Sequence, residues 1–139
     1  MPGTVWHVTI GTLERQPIFR EQWIAQAIVE SITFQCRKKS CDLLIYCVMP
    51  EHVHMVIGIA DDGDLMAIIH DFKSFTTNLW RKRTGKRRLW QESFFDHGVR
   101  KSERMDDLVA YVVENPIKEG LVTNWRDYTW LGGLLIDEE

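Results

Sequence analysis

Two histidines separated by one residue, His52 and His54 in the run VMPEHVHMVI, are the first candidates for chemistry. On a β-strand, residues two apart leave the same face, so both imidazoles can converge on one divalent ion. Val56 shares that face, whereas Val53, Met55 and Ile57 point the other way and can join a core. Imidazoles on an apolar strand are costly to bury without partners. Hydrogen-bonded structural histidines fit the same spacing, and H-x-H alone leaves both readings open.

Tyr111 is the second candidate, a phenol whose place on its helix sets it among other polar side chains. At 100° per residue, Met105, Val109 and Val112 form the centre of an apolar helical stripe, and Tyr111 lies to one side of it. Asn115, four residues on, and Arg104, seven back, fall on nearly the same line as Tyr111. A hydroxyl, an amide and a guanidinium therefore share one flank. The plainer alternative is a boundary tyrosine with its ring packed and its hydroxyl in water. His97, in SFFDHGV, is an accessory candidate for orienting a phosphate or ligand. His7 and His70 have no partner pattern and read as structural or surface residues.

The chain of 139 residues carries a formal charge of −3, which by itself argues against a nucleic-acid partner. The distribution of charge argues the other way. Lys73, Arg81, Lys82, Arg83, Lys86, Arg87 and Arg88 form a stretch without an acidic residue, while the acids gather at 61–64, 106–107 and 137–139. Such a stretch can grip phosphates, or it can be a solvated helix end. Trp80 within it and Trp90 just beyond it are candidates for stacking bases.

Length and composition, 45% hydrophobic and 27% charged, fit one globular domain over 1–139. Three cysteines, Cys36, Cys41 and Cys47, cannot all pair within one chain and lack zinc-motif spacing. Reduced thiols and the lack of a signal-like N-terminus point to the cytoplasm. The longest apolar run, at 43–49, is too short to cross a bilayer, so no membrane partner is expected.

These side chains need a scaffold, and the hydrophobic periodicity supplies one. Thr4 to Ile10 alternates as a strand, and Ile18 to Gln35 repeats as an amphipathic helix. Asp42 to Met49 and His52 to Ile59 form two β-prone runs split by Pro50-Glu51, a hairpin pattern. Asp64 is placed to cap a helix running to about Arg83, ended by Gly85. Ser93 to Val99 reads as a further strand, and Ser102 caps a helix that stops near Glu114, before Pro116. The succession βαββαβ plus one helix predicts an α+β, ferredoxin-like antiparallel sheet with helices on one face and an extra C-terminal helix bearing Tyr111.

In the same order, WHVTIGTLERQPIF at 6–19, VMPEHVHMVI at 48–57, IIHDFKSFTTNLW at 68–80, LWQESFFDHGVR at 89–100, AYVVENPIKEGLV at 110–122 and DYTW at 127–130 resemble the HUH-type single-tyrosine transposases, in particular their REP-associated branch. The resemblance implies that His52 and His54 hold a divalent ion, Mg or Mn, that Tyr111 is the nucleophile, and that Asn115 completes or supports the metal site. It implies single-stranded or hairpin DNA as the partner, cut through a covalent 5′-phosphotyrosine. Glu51 departs from the commoner Asn of that family, and its carboxylate either strengthens ion binding or faces solvent. The resemblance allows a monomer or a homodimer sharing tyrosines. Rival readings are a domesticated hairpin binder that does not cut, a metal-dependent phosphohydrolase using water, and an RNA-binding module. The last lacks the paired strand aromatics such modules need.

Overall fold

The computed structural model describes residues 3–99 and 105–136, with the backbone alone at 97 and 99. Five strands, β1 (Gly3–Gly11), β2 (Asp42–Met49), β3 (His52–Ala60), β4 (Phe95–Val99) and β5 (Leu131–Gly132), form one sheet in the order β4-β1-β3-β2-β5. Every pairing is antiparallel. Helices α1 (Gln22–Lys38), α2 (Leu65–Thr84) and α3 (Met105–Lys118) complete the expected βαββαβ-plus-helix succession.

Strand alternation divides the apolar residues between two cores. Val8, Ile10, Val48, Val53, Met55 and Ile57 face α1 and α2, and meet Ile24, Ile28, Ile32, Ile68, Ile69 and Phe72 there. Ile45, Cys47, Met49 and Val56 face the other way and are covered by Val112 and Val113 of α3. The sheet is thus sandwiched, with the tyrosine-bearing helix alone on the second face. Burying both faces of β3 explains why His52–Ile57 is an unbroken buried run.

The elements differ from their sequence expectations mainly at their ends. Residues 18–20 form a 3-10 turn, so α1 begins four residues later than its periodicity implied and continues to Lys38. Asp64 caps α2, its carboxylate accepting from the Ala67 N–H at 3.2 Å. Helix α3 does not stop before Pro116 but continues to Lys118. Proline removes one backbone donor, and here it falls in the final turn. That end closes as a Schellman motif: Leu121 N donates to Pro116 O at 2.9 Å and Gly120 N to Ile117 O at 3.0 Å, with Gly120 at φ 76°. The cap expected from Ser102 lies outside the described residues. The 127–130 tail folds back on β2, with the Tyr128 hydroxyl donating to Val48 O at 2.6 Å.

Candidate active site beneath the tyrosine helix

In the antiparallel ladder Thr9 lies opposite His54 and Gly11 opposite His52. Directly opposed residues share a face, and so do residues two apart on one strand. His7, Thr9 and Gly11 of β1 therefore stand on the same face as His52 and His54. The α3 helix crosses that face, anchored by Val112 and Val113, and the preceding residue, Tyr111, comes to the histidines. Its ring is edge-on to His54, at 5.8 Å between centroids, and to His7 at 6.0 Å. The side chain of Tyr111 is 48% exposed, open to an incoming strand. Tyrosine and histidines come from one chain.

The His52 and His54 Nε2 atoms face one another at 3.1 Å, with their rings nearly perpendicular. Two nitrogens each about 2.1 Å from a shared ion lie roughly 3.0–3.4 Å apart for angles from octahedral to tetrahedral. The pair is thus spaced as two ligands of one ion. The far side of each ring is held. His54 Nδ1 lies 3.0 Å from His7 Nε2 and 3.2 Å from Thr9 Oγ1. His52 Nδ1 lies 3.3 Å from the Glu51 carboxylate, off the line of a well-formed hydrogen bond. A neutral imidazole has one N–H. Placing it on Nδ1 serves the His54 contacts, turns the His52 N–H toward Glu51 without a formed hydrogen bond, and leaves both Nε2 lone pairs for a metal.

Electrostatics favour the same state. His54 is pushed down to about 3, first by burial and then by the neighbouring His52, His7 and Arg15. His52 is also held below the ordinary histidine range, mainly by burial, with Glu51 opposing and Arg15 reinforcing. Both rings are neutral at neutral pH, the form that binds metal. Among the described residues no group of three or more His, Cys, Asp or Glu is arranged to hold an ion. The two imidazoles would supply two of the six positions of an octahedral ion, the rest being left to an amide, water or substrate oxygens.

Asn115 lies one helical turn beyond Tyr111 and is half-buried. Glu51 does not simply face solvent. Its carboxylate bridges His52 and Arg15, the latter at 3.4 Å. The backbone of His97 pairs with His7 on β4, beside the site. Arg104 lies outside the described residues.

The basic stretch returns to this end of the sheet, because Leu13 N donates to Leu89 O and Gln91 N to Gly11 O. Arg81, Lys82, Arg83, Lys86, Arg87 and Arg88 are exposed, with Arg81 Nε donating to Arg87 O at 2.8 Å and the Arg83 guanidinium over the Trp23 ring. Lys73 is not; its ammonium donates to the Gln91 and Glu92 carbonyls at 3.2 and 3.3 Å. The expectation that Trp80 or Trp90 stacks bases is corrected. They are 6% and 4% exposed, Trp80 stacked on Trp23 and Trp90 donating to Thr76 Oγ1 at 2.9 Å. Indoles are large enough that α2 uses them as core.

His7, expected to be a structural or surface residue with no partner pattern, supports the site by holding His54. The available signal was the alternation of His7 and Thr9 against Val8 and Ile10, which marks a polar side of β1. What that side meets depends on which strand pairs with it.

Comparison with known proteins adds the family. Residues 3–115 match the family described as "Transposase IS200 like". A REP-associated tyrosine transposase of Escherichia coli K12 is 25% identical over 130 residues, covering 91% of this chain and 74% of that one. A Haemophilus influenzae protein described in similar terms is 26% identical over 106 residues, covering 68% of this chain and 60% of that one. The fold matches the structure of a REP-associated tyrosine transposase bound to a REP hairpin, with a TM-score of 0.79 at 21% identity, covering 100% of this chain and 91% of the other.

Proposed function

Because the chain belongs to the IS200-like transposase family, we propose that it is a divalent-metal-dependent enzyme that nicks single-stranded DNA beside a hairpin and rejoins it through a covalent 5′-phosphotyrosine. The observation that carries this reading is the convergence of Tyr111 with two imidazoles whose Nε2 atoms face each other at 3.1 Å. The hairpin as partner rests on the solved relative, which is bound to one.

His52 and His54 would hold the ion through Nε2, with Asn115 the candidate to complete or support the site. A bound Mg or Mn would polarise a non-bridging phosphate oxygen and offset its charge. Tyr111 Oη forms a bond to phosphorus as the bond from phosphorus to the 3′ oxygen breaks. The phenol proton passes to solvent, and the departing 3′ oxygen takes one up. One phosphodiester is exchanged for another, so attack by a 3′-hydroxyl reverses the step and joins strands without a nucleotide cofactor. His7 and Thr9 fix the His54 ring, and the Glu51 carboxylate lies beside His52 Nδ1.

Arg81, Lys82, Arg83, Lys86, Arg87 and Arg88 contact the DNA backbone, and Arg104, which lies outside the described residues, is a further candidate contact. Lys73 is the least available, since it reaches DNA only by releasing two carbonyls. The nearness of Tyr111 to the histidines of its own chain favours cutting in cis. No described helix is long and apolar enough to cross a membrane, and we place the protein with its DNA in the cytoplasm.

The test is incubation with Mn and labelled hairpins bearing single-stranded tails. A covalent adduct that disappears in Tyr111→Phe supports the reading. A protein that binds hairpins tightly yet yields no adduct across a broad tail library is the non-cutting relative instead.

A further inference from the structure

Arg15 neither faces the ion nor attacks the phosphate, yet the backbone adopts an uncommon course to bring it to the site. Glu14 and Arg15 take successive left-handed conformations at φ 55° and 56°. Non-glycine residues visit that region at a cost of about 1 kcal/mol or more each. The turn is locked by Thr12, whose hydroxyl donates to Gln16 O at 2.7 Å and to Glu51 O at 3.1 Å. It throws the Arg15 side chain back over the end of β1.

Gly11 shows where the guanidinium arrives. A Cβ on Gly11 would point to the face of His52, its direct partner in the ladder, and would come within 3.1 Å of the Gln91 amide nitrogen and 3.3 Å of Arg15 Nη1. The space left by the missing side chain is shared by the Gln91 amide and the Arg15 guanidinium. Among the described residues its hydrogen-bond partner is Glu51, at a long 3.4 Å, and the Arg15 side chain is 53% exposed. An exposed pair of that length contributes little stability, so most of the fork's donors remain for another acceptor. Beyond it lies an open cleft of about 300 Å³, walled by Arg15, Arg20, Pro50, Glu51 and Glu119.

Tyr111 meets the histidines at the His54 and His7 end, whereas Arg15 stands at the His52 end. In-line displacement puts the leaving oxygen opposite the nucleophile. The strand departing with the 3′-hydroxyl therefore runs over Arg15. We propose that Arg15 is a phosphate-holding residue, whose guanidinium takes the first DNA phosphate on the 5′ side of the scissile one. An arginine fork binds two phosphate oxygens at once, which a lysine cannot match. Its role is to retain the released 3′ end beside the phosphotyrosine for rejoining. This rests on the proposed strand-cutting reading.

The test measures binding by the full chain carrying Tyr111→Phe, with Mg, to a fluorescent hairpin with single-stranded tails. Arg15→Ala is expected to weaken binding about 5–10-fold near 0.1 M salt and to flatten the log–log salt dependence by about 0.7. Arg15→Lys keeps the charge and the reach to Glu51. It should preserve that slope while losing affinity, which guards against misreading a folding defect. Replacing tail phosphates one at a time with neutral methylphosphonates should weaken the Arg15 protein at one position, immediately 5′ to the scissile link, and leave Arg15→Ala indifferent there. An unchanged slope in Arg15→Ala, or methylphosphonate losses that add to it at every position, overturns the proposal, as does a sensitive position 3′ to the scissile link. Adduct formation is scored separately. A protein that makes no adduct but shows the Arg15 signature binds DNA without cutting it. One that makes the adduct with an unaltered slope cuts without this contact.

Discussion

His54 Nδ1 lies 3.0 Å from the Nε2 of His7, which stands on the neighbouring strand 47 residues earlier in the chain. This contact orients the His54 ring so that its other nitrogen faces His52. His7→Ala should therefore lower divalent-ion affinity by about 10–100-fold, the usual cost of losing a partner behind a ligand. Thr9→Val should cost less, since the His7 contact remains. Titration calorimetry with Mn on the DNA-free protein measures both; wild-type affinity in His7→Ala would remove His7 from the metal's support.

Tyr111→Phe keeps the ring and removes the oxygen. DNA affinity should stay within about twofold, because the change deletes one exposed hydroxyl and no charge. Covalent adduct should vanish. Nuclease activity that survives the substitution would point to water as the nucleophile and so to the phosphohydrolase.

The metal-free protein should lose stability in mild acid. His54 is depressed from the ordinary histidine value to about 3, so the unfolded chain binds a proton that the folded chain refuses. The stabilisation is complete above about pH 6.5 and is lost as pH falls from there toward 3. Its slope approaches about 1.4 kcal/mol per pH unit for that one proton. Urea unfolding at pH 7.5 and 5.5 reads it, and His54→Gln should have a shallower dependence.

Trp90→Phe should destabilise the fold by about 1 kcal/mol through loss of the hydrogen bond to Thr76 Oγ1. DNA affinity should be unchanged, since the indole is buried. A specific loss of DNA binding with full stability would restore Trp90 as a base platform.

Neutralising Arg87 and Arg88 together should flatten the salt dependence of DNA binding by about 1.4, or roughly 0.7 for each single-strand phosphate that no longer meets a cation. Binding measured from low to moderate salt gives the slope, and an unaltered one returns the stretch to a solvated helix end.

The element order was legible in the amino-acid sequence, because periods of two and of 3.6 residues are written in local composition. So was the shared face of His52 and His54, and the place of Asn115 after Tyr111 along one flank, since both follow from spacing within a single element. The β2–β3 hairpin was legible too, but that β1 lies on the other side of β3, and in which register, was decided by the folded chain. That pairing brought His7 and Thr9 to His54 as its support. It likewise set α3 on the second face, bringing Tyr111 to within 5.8 Å of the His54 ring. Burial was decided at the same level. The tryptophans that looked free to stack on bases lie in the core, and Lys73, counted with the exposed cations, is tied to backbone carbonyls. Pairings between segments far apart in the chain depend on closing the sheet, and no local pattern records which partner each strand will take.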